Sequence, residues 1–464
     1  MVKLYLQLGG MLVNIIIAGN GKVGSTLARQ LSAQGYDLTV IDSDQSLLED
    51  TISRYDVMAV NGNCASMPIL LQAGVKEADL LIAATGEDEI NLLCCSTAHA
   101  LNPKLHTIAR IRNPEYTDQI YELRDTFGLS MSVNPEKRSA QEIERLLQYP
   151  GFLRRDIFAR GRAEIVELRV DAASKLCNVS LMDMAKIVRC RTLVCAVLRN
   201  GSALVPSGNF VLHEGDRIFV TAPTENLTIL LKNLGIITRR VRKVMLCGGG
   251  RVTFYLARLL KKSGIQVRII ESDELRAKEL YAQLPGVEVS CGDAANLELL
   301  NNEGLCSCDA LVALTGYDEL NMILSLYASS QNVSQVITKL SQVDNRSVID
   351  SLSLDRVVCP KELSCNAILR YVRAMQNQTG AALSVHAIAD GQVEAMEFRV
   401  DENTKHCGVP LKKLKRRSNV LIACIIHGSQ TEIPNGDSTF ENGDTLVVVT
   451  SGRGVIKQIN DIFE

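Results

Sequence analysis

At 464 residues the chain is too long for one hydrophobic core, and roughly three or four domains are expected. A hydrophobic fraction of 46% supports folding rather than disorder, while a net charge of −2 gives no reason to invoke nucleic acid. Tryptophan is absent and aromatic residues make up 4%, which speaks against stacking platforms for single strands. The fourteen cysteines are scattered, and several (Cys195, Cys247, Cys424) stand where a strand wants a small apolar residue. Cys306 and Cys308 are too close to form a zinc site alone, so buried reduced thiols in a cytosolic protein are expected. No apolar run approaches the roughly 18 residues needed to cross a bilayer. Met1 to Met11 lacks the apolar core of a signal peptide, and Met11 would serve as well as a start. A soluble, cytoplasmic chain follows.

In chain order, apolar runs predict strands over 14–18, 37–41, 56–60, 80–84 and 107–111, with a helix over 24–34. Strands of four to six residues separated by helix-length segments indicate βαβ units and a parallel sheet, with helices on both faces. A strand-rich stretch follows: 165–170, a helical segment, 194–199, the hairpin turn Asn200-Gly201, and 217–221. The order then repeats. Gly19 recurs as Gly248 and Asp42 as Glu271, both 229 residues on. Thr85-Gly86-Glu87-Asp88-Glu89-Ile90-Asn91 recurs as Thr315-Gly316-Tyr317-Asp318-Glu319-Leu320-Asn321, 230 residues on. Pro206 recurs as Pro434 and Asp216 as Asp444, while Asn134-Pro135-Glu136 matches Cys359-Pro360-Lys361. The expected plan is α/β: Rossmann-like parallel-sheet domains over 12–133 and 241–358, each followed by a small α+β module over 150–234 and 378–464.

Each Rossmann-like domain opens on a dinucleotide-binding fingerprint. A lone GxGxxG is weak, but its repetition with strand, helix and acidic partner is specific. In Gly19-Asn20-Gly21-Lys22-Val23-Gly24, Gly19 allows the tight turn, Gly21 lets backbone approach a pyrophosphate, and Gly24 lets helix pack on strand. Free amides at the helix start favour phosphates. Asp42 stands where it would accept from ribose hydroxyls and repel a 2′-phosphate, so NAD is preferred over NADP. ATP and ADP carry the same ribose and stay open. The second copy, Gly248-Gly249-Gly250-Arg251-Val252-Thr253 with Glu271, places Thr253 at the third glycine position, so weaker binding is expected there.

Thr85 to Asp88 and Thr315 to Asp318 have the form of capping boxes, with threonine and acid serving the helix start. The same loops follow the fourth strand, at the edge where ligands bind, so Thr85, Gly86, Thr315 and Gly316 are also candidate nucleotide contacts. Arg110 and Arg112 close the fifth strand on one face and either neutralise phosphate or pair with surface acids. Lys339 occupies the matching position in the second half. The basic run 412–417 reads as a solvated helix face, the other option being a docking patch for anionic lipid or an acidic partner. A dehydrogenase needs a proton shuttle, usually His, Lys or Tyr, yet the six histidines do not recur between the halves and none sits in a motif, and the accessory modules are too small and hairpin-rich for a substrate domain. Nucleotide binding without chemistry points to sensing rather than to an enzyme.

The tandem arrangement, the first fingerprint with Asp42, Ala109-Arg110-Ile111-Arg112-Asn113-Pro114-Glu115-Tyr116 and Gly292-Asp293-Ala294 together resemble the TrkA family. These are cytosolic regulatory subunits of Trk potassium uptake systems, built from RCK N and C modules. The resemblance implies a peripheral position on the cytoplasmic face of the membrane, an integral potassium channel subunit of TrkH/TrkG type as partner, and a homotetrameric ring. It also implies gating by NAD(H) and ATP/ADP, while the charge balance leaves no nucleic-acid partner expected. It places cofactor contacts on Gly19, Asn20, Gly21, Lys22, Val23, Asp42, Thr85, Gly86 and Arg110. The second site falls on Gly248, Gly249, Gly250, Arg251, Val252, Glu271, Thr315 and Gly316. The regulatory portion of another cation transporter or antiporter, and an NAD-dependent oxidoreductase, are the alternatives.

Overall fold

The computed structural model describes residues 13–148, 152–172, 174–234, 241–341, 352, 354, 356–375, 382–417, 419–451, 456 and 458–464. The expectation about Met1 and Met11 lies outside them. The chain gathers into two compact units. One holds both Rossmann-like copies (Met1–Glu144, Arg242–Asn345, Val357–Val372), the other both strand-rich modules (Arg145–Val241, Arg346–Arg356, Arg373–Glu464).

In the first unit the chain begins β1 (Asn14–Ala18), α1 (Lys22–Ser32), β2 (Asp37–Asp42), α2 (Gln45–Arg54), β3 (Met58–Asn61) and α3 (Met67–Gln72). It continues β4 (Leu80–Ala83), α4 (Asp88–Leu101), β5 (His106–Arg110), α5 (Pro114–Leu123), β6 (Met131–Val133) and α6 (Pro135–Gln148). The six strands pair in the order β3-β2-β1-β4-β5-β6, and every pairing is parallel. β1 and β4 are central and almost wholly apolar, as strands covered on both faces must be. Order reverses between β1 and β4, which opens a crevice at their carboxyl ends. α1 buries Val23, Leu27, Ala28 and Leu31 on one helical stripe. Asp44 caps α2 and Asn113 caps α5, the latter followed by Pro114 in the first turn.

The second copy repeats this in the same unit. Its elements are β12 (Lys243–Cys247), α9 (Arg251–Lys262), β13 (Gln266–Glu271), α10 (Glu274–Gln283), β14 (Glu288–Cys291) and α11 (Leu297–Asn302). β15 (Ala310–Ala313), α12 (Asp318–Ser330), β16 (Gln335–Lys339), β17 (Val357–Val358) and α13 (Pro360–Met375) follow. The order β14-β13-β12-β15-β16-β17 is the same. The copies interlock through their last helices. α13 of the second copy lies on the first domain, with Cys365 Sγ 4.0 Å from the Val23 carbonyl and Tyr371 Oη 2.8 Å from His106 Nδ1. α6 of the first lies on the second, where Ser263 donates to Glu144 at 3.0 Å. Tyr255 of α9 reaches back to Asn134 at 3.0 Å and Thr117 at 3.2 Å.

The second unit contains β7 (Arg154–Phe158), β8 (Ala163–Arg169), α7 (Leu181–Val188), β9 (Leu193–Arg199), β10 (Ser202–Leu204), β11 (Arg217–Pro223) and α8 (Thr224–Asn233). β18 (Ala382–Ile388), β19 (Val393–Arg399), β20 (Val420–His427), β21 (Gln430–Glu432) and β22 (Thr445–Thr450) complete it. Two antiparallel sheets, β10-β9-β11-β8-β7 and β18-β19-β22-β20-β21, share an apolar core that includes Phe158, Ile165 and Phe219 with Ile388, Val393 and Val449. β9 and β10 form the expected hairpin at Asn200-Gly201. The basic run is not a helix face: Leu411–Lys413 is a single 3-10 turn with Leu411 buried, and Arg416 bridges to Phe463. With Leu411 and Leu414 packed into the module core, too little helix remains to present a charged face. All fourteen cysteines are free; most are buried or half-buried, but Cys291 and Cys306 are exposed.

Candidate functional site

The first crevice is built around the β1–α1 turn. Gly19 has φ +98°, and a Cβ there would meet Thr85 N at 2.8 Å. A side chain on Gly24 would stand 1.8 Å from the Gly19 carbonyl, so helix and strand touch through bare backbone. Gly21 is different. Nothing lies within 4 Å of a Cβ built on it, nor of one built on Gly86 in the β4–α4 loop. α1 starts at Lys22 with no side-chain cap and no acidic residue in its first turn. Its first amides are therefore available to an anion.

Asp42 ends β2, half-buried. One carboxylate oxygen accepts from Asn20 N at 2.5 Å and the other from Asp44 N at 2.9 Å, which fixes the group at the crevice rim. Asn20 itself is buried, and its amide turns inward to Leu47 O at 2.7 Å and Thr51 Oγ1 at 2.8 Å. Its amide N–H and its side-chain amide are thus both engaged within the protein. Lys22 is exposed at the mouth and Val23 is buried behind it.

The capping-box reading of the β4–α4 loop does not hold. α4 begins at Asp88 with no side-chain cap. Thr85 instead donates to Asn91 Oδ1 at 2.7 Å, Asn91 also accepts Thr85 N at 2.8 Å, and its amide donates to the Arg110 carbonyl at 2.9 Å. Asp88 accepts from Arg112 N and Asn113 N, both at 2.7 Å. The buried backbone amides after β5 outcompete the solvated helix start for that carboxylate. Thr315, Asn321 and Asp318 repeat the arrangement, with Lys339 O and Ser341 N as partners. Asn91 and Asn321 were missed as site residues, although their recurrence at the same offset was readable.

The two arginines part company. Arg112 lies beyond the strand, pairing with Asp88 at 3.4 Å and donating to Gly86 O. Arg110 is half-buried at the end of β5, and its Nε has no hydrogen-bond partner. Burial pulls its guanidinium below the usual range, with Arg112 pushing the same way. Glu136 sits nearby with Oε2 also unpartnered, its carboxyl pushed up by burial despite Arg110, Arg112 and Arg251 around it. A phosphate would satisfy Arg110 where Glu136 does not.

The second crevice keeps the frame and alters the contents. Gly248 has φ +104°, and Gly250 and Gly316 are open. Arg251 is exposed, Val252 buried. Thr253, at the third glycine position, is fully buried and donates its hydroxyl to the Gly248 carbonyl. Glu271, one methylene longer than Asp42, still accepts from the loop amide of Gly249. A Cβ on Gly249 would stand 2.6 Å from both Glu271 Oε2 and Leu280 Cδ1, so the glycine makes room for the longer acid. Lys339 spends its ammonium on Thr315 O at 2.6 Å. Glu136 has Lys361 as its counterpart.

Among the described residues no cluster could hold a metal, and no helix is long and apolar enough to cross a membrane. In fold the chain is similar to the RCK domain of GsuK (TM-score 0.61, 16% identity, 97% of this chain and 96% of that one). It is likewise similar to the GsuK channel bound to NAD (TM-score 0.60, 17% identity, 97% and 80%). A Trk system potassium uptake protein TrkA homolog of Archaeoglobus fulgidus is 33% identical over 452 residues, 97% of this chain and 100% of that protein. The Trk system potassium uptake protein TrkA of Haemophilus influenzae is 29% identical over 97% and 99%. The TrkA-N domain model matches residues 15–135 and 244–360, and the TrkA-C domain model residues 165–235 and 395–463. On these matches, in tandem and over nearly the whole length, the chain belongs to the TrkA family of Trk-system potassium uptake proteins.

Proposed function

We propose that the chain is a nucleotide-sensing regulatory subunit that gates a membrane potassium uptake channel of Trk type and has no catalytic activity of its own. One observation carries the reading: a complete fingerprint crevice whose strand end holds an arginine with a buried Nε that no protein group accepts from. Within the Gly19–Val23 loop the free amides from Gly21 to Val23, with the Arg110 guanidinium, would hold phosphates, Asp42 the ribose, and Thr85 with Gly86 the far wall. NAD(H) and ATP/ADP are the ligands that fit this set. The second copy, with Gly248 to Val252, Glu271, Thr315 and Gly316, is the weaker site because Lys339 is already engaged. The relatives are named as Trk-system potassium uptake proteins, which supports a membrane potassium transporter as partner; with it belong a channel subunit of TrkH/TrkG type, a homotetrameric ring and a peripheral place on the cytoplasmic face. A ligand gates such an assembly only through unequal affinity for two of its states.

The test is potassium flux through the reconstituted channel partner with wild-type chain and with Asp42→Ala, titrated with ADP, ATP and NADH. The expected result is a nucleotide response lost or shifted to about tenfold or higher ligand concentration, the effect of about 1.4 kcal/mol of lost binding. An unchanged response would remove the first crevice from the mechanism.

A further inference from the structure

Beyond the glycine loop, away from Asp42, the crevice floor runs over the carboxyl ends of β4, β5 and β6. A second nucleoside extending from a pyrophosphate held at the Gly21–Val23 amides has to lie over this floor. Under α13 this floor joins the apolar sheet face: Ala84 and Arg110 stand at the strand ends, Ile82 and Ile108 on the face below, and Ser364 and Ile368 of α13 form the roof. Between floor and roof is a cavity of about 10 Å³, room for about one water molecule. Pockets that hold whole small ligands measure roughly 300–1,000 Å³. The roof is firmly seated: Cys365 is fully buried against the Val23 carbonyl, Ile368 is buried, and Tyr371 is bonded to His106 at the far end of β5. The glycine loop itself is open, since nothing crowds Gly21.

We propose that the first crevice, with α13 seated, is a mononucleotide site, and that a dinucleotide enters only by lifting α13 off the first domain. The inference rests on the reading of this crevice as a nucleotide site and adds the ligand class that each position of α13 accepts. ADP or ATP spans from Asp42 through the α1 amides to Arg110 and stops short of Ser364. NAD(H) carries a further ribose and ring past Arg110, into the space that Ser364 and Ile368 fill. The two ligand classes therefore leave α13, which leads the chain into the second strand-rich module, in different positions. A single crevice then reports two signals rather than competing for one.

The experiment uses the full chain. ADP and NADH are titrated against wild type and Ile368→Ala, and amide hydrogen exchange across residues 360–372 is followed at saturation with each. Wild type saturated with ADP is expected to exchange over this stretch as the free chain does, and with NADH markedly faster. Ile368→Ala, which lowers the roof's hold, is expected to tighten NADH about tenfold by raising the fraction of competent chain. Its ADP affinity should move less than about twofold. Equal exchange in the two complexes, or parallel affinity changes for the two ligands, overturns the proposal while leaving the crevice a nucleotide site. Failure of both ligands to bind wild type overturns the nucleotide reading and this inference with it. The exchange comparison needs no variant, so it decides even if Ile368→Ala folds poorly.

Discussion

Single residues divide the two crevices more sharply than their shared fingerprint suggests. Gly24 and Thr253 occupy one position, yet a side chain at the first would collide with the Gly19 carbonyl at 1.8 Å while the second bonds the equivalent carbonyl with its hydroxyl. The second helix start therefore sits farther from its strand, and Thr253 holds that spacing. Arg110 and Lys339 differ in the same way: one has a buried nitrogen without a partner, the other is tied to Thr315 O. A buried, unsatisfied cation costs stability and gains it back only with a ligand. Arg110→Ala is therefore expected to weaken ADP binding by roughly 10–100-fold, the loss of a charge-assisted bond of about 1.5–3 kcal/mol. The melting temperature of the free chain should stay level or rise. Lys339→Ala is expected to do the reverse, leaving ADP affinity alone and lowering the melting temperature. Titration and thermal melts of the two variants check both, and wild-type ADP affinity in Arg110→Ala would refute the assignment.

At the scale of elements, what the sequence discloses depends on where an element's charges go. β1, β4 and β12 are continuous apolar runs because both faces are covered, and they are readable from composition alone. β7 is not, since Arg154, Arg155 and Asp156 stand in succession and look like solvated loop. In the fold these charges are consumed internally: Arg155 pairs with Glu164, and Asp156 with Arg154 at 3.0 Å and with His386 of β18 at 3.0 Å. β6 and β18 were hidden for related reasons, one by brevity and one by its polar alternation. The crevice glycines and acids were legible because their chemistry is local; the exchange of α6 and α13 was not, because which sheet a helix covers is a tertiary fact. The Asp156 contact makes a pH prediction. Burial alone would raise its carboxyl, but Arg154 and then His386 outweigh it and hold it at about 2 against an ordinary 3.8. A depressed carboxyl stabilises the fold above its unfolded value and stops doing so as pH falls through the folded one. The contribution, about 2 kcal/mol, is expected to be complete above about pH 4 and to vanish towards pH 2. Denaturant melts across that range should show the slope in wild type and lack its Asp156 share in Asp156→Asn.

On the scale of the whole molecule, the repeat is a pair of half-chains that complete each other. In the first unit α13 of the second copy covers the first copy at Val23 of α1 and at Ile82 and Ile108 of its sheet, and α9 of the second copy sends Tyr255 into the Thr117–Asn134 pair of the first. In the second unit the two antiparallel sheets bury Phe158, Phe219, Ile388 and Val449 in one core. Their backbones are further tied by Ala159 N to Glu397 at 3.1 Å and Thr431 to the Arg162 carbonyl at 2.9 Å. The covalent link between the halves contributes effective concentration rather than these contacts. Each fully buried aliphatic or aromatic side chain contributes roughly 1.5–3 kcal/mol, and both units supply several across the divide. Residues 1–236 and 237–464 produced as separate chains in one cell are therefore expected to purify as a 1:1 complex with wild-type ADP affinity. The first half produced alone lacks the cover that Ile368 and Val372 supply, and it is expected to aggregate or to pair with a second copy of itself through α6. Size-exclusion chromatography with light scattering distinguishes these states. Two halves that elute as independent, stable monomers at micromolar concentration would mean the shared surfaces do not hold the repeat together, and that the α13 roof is too weakly seated to discriminate between ligands.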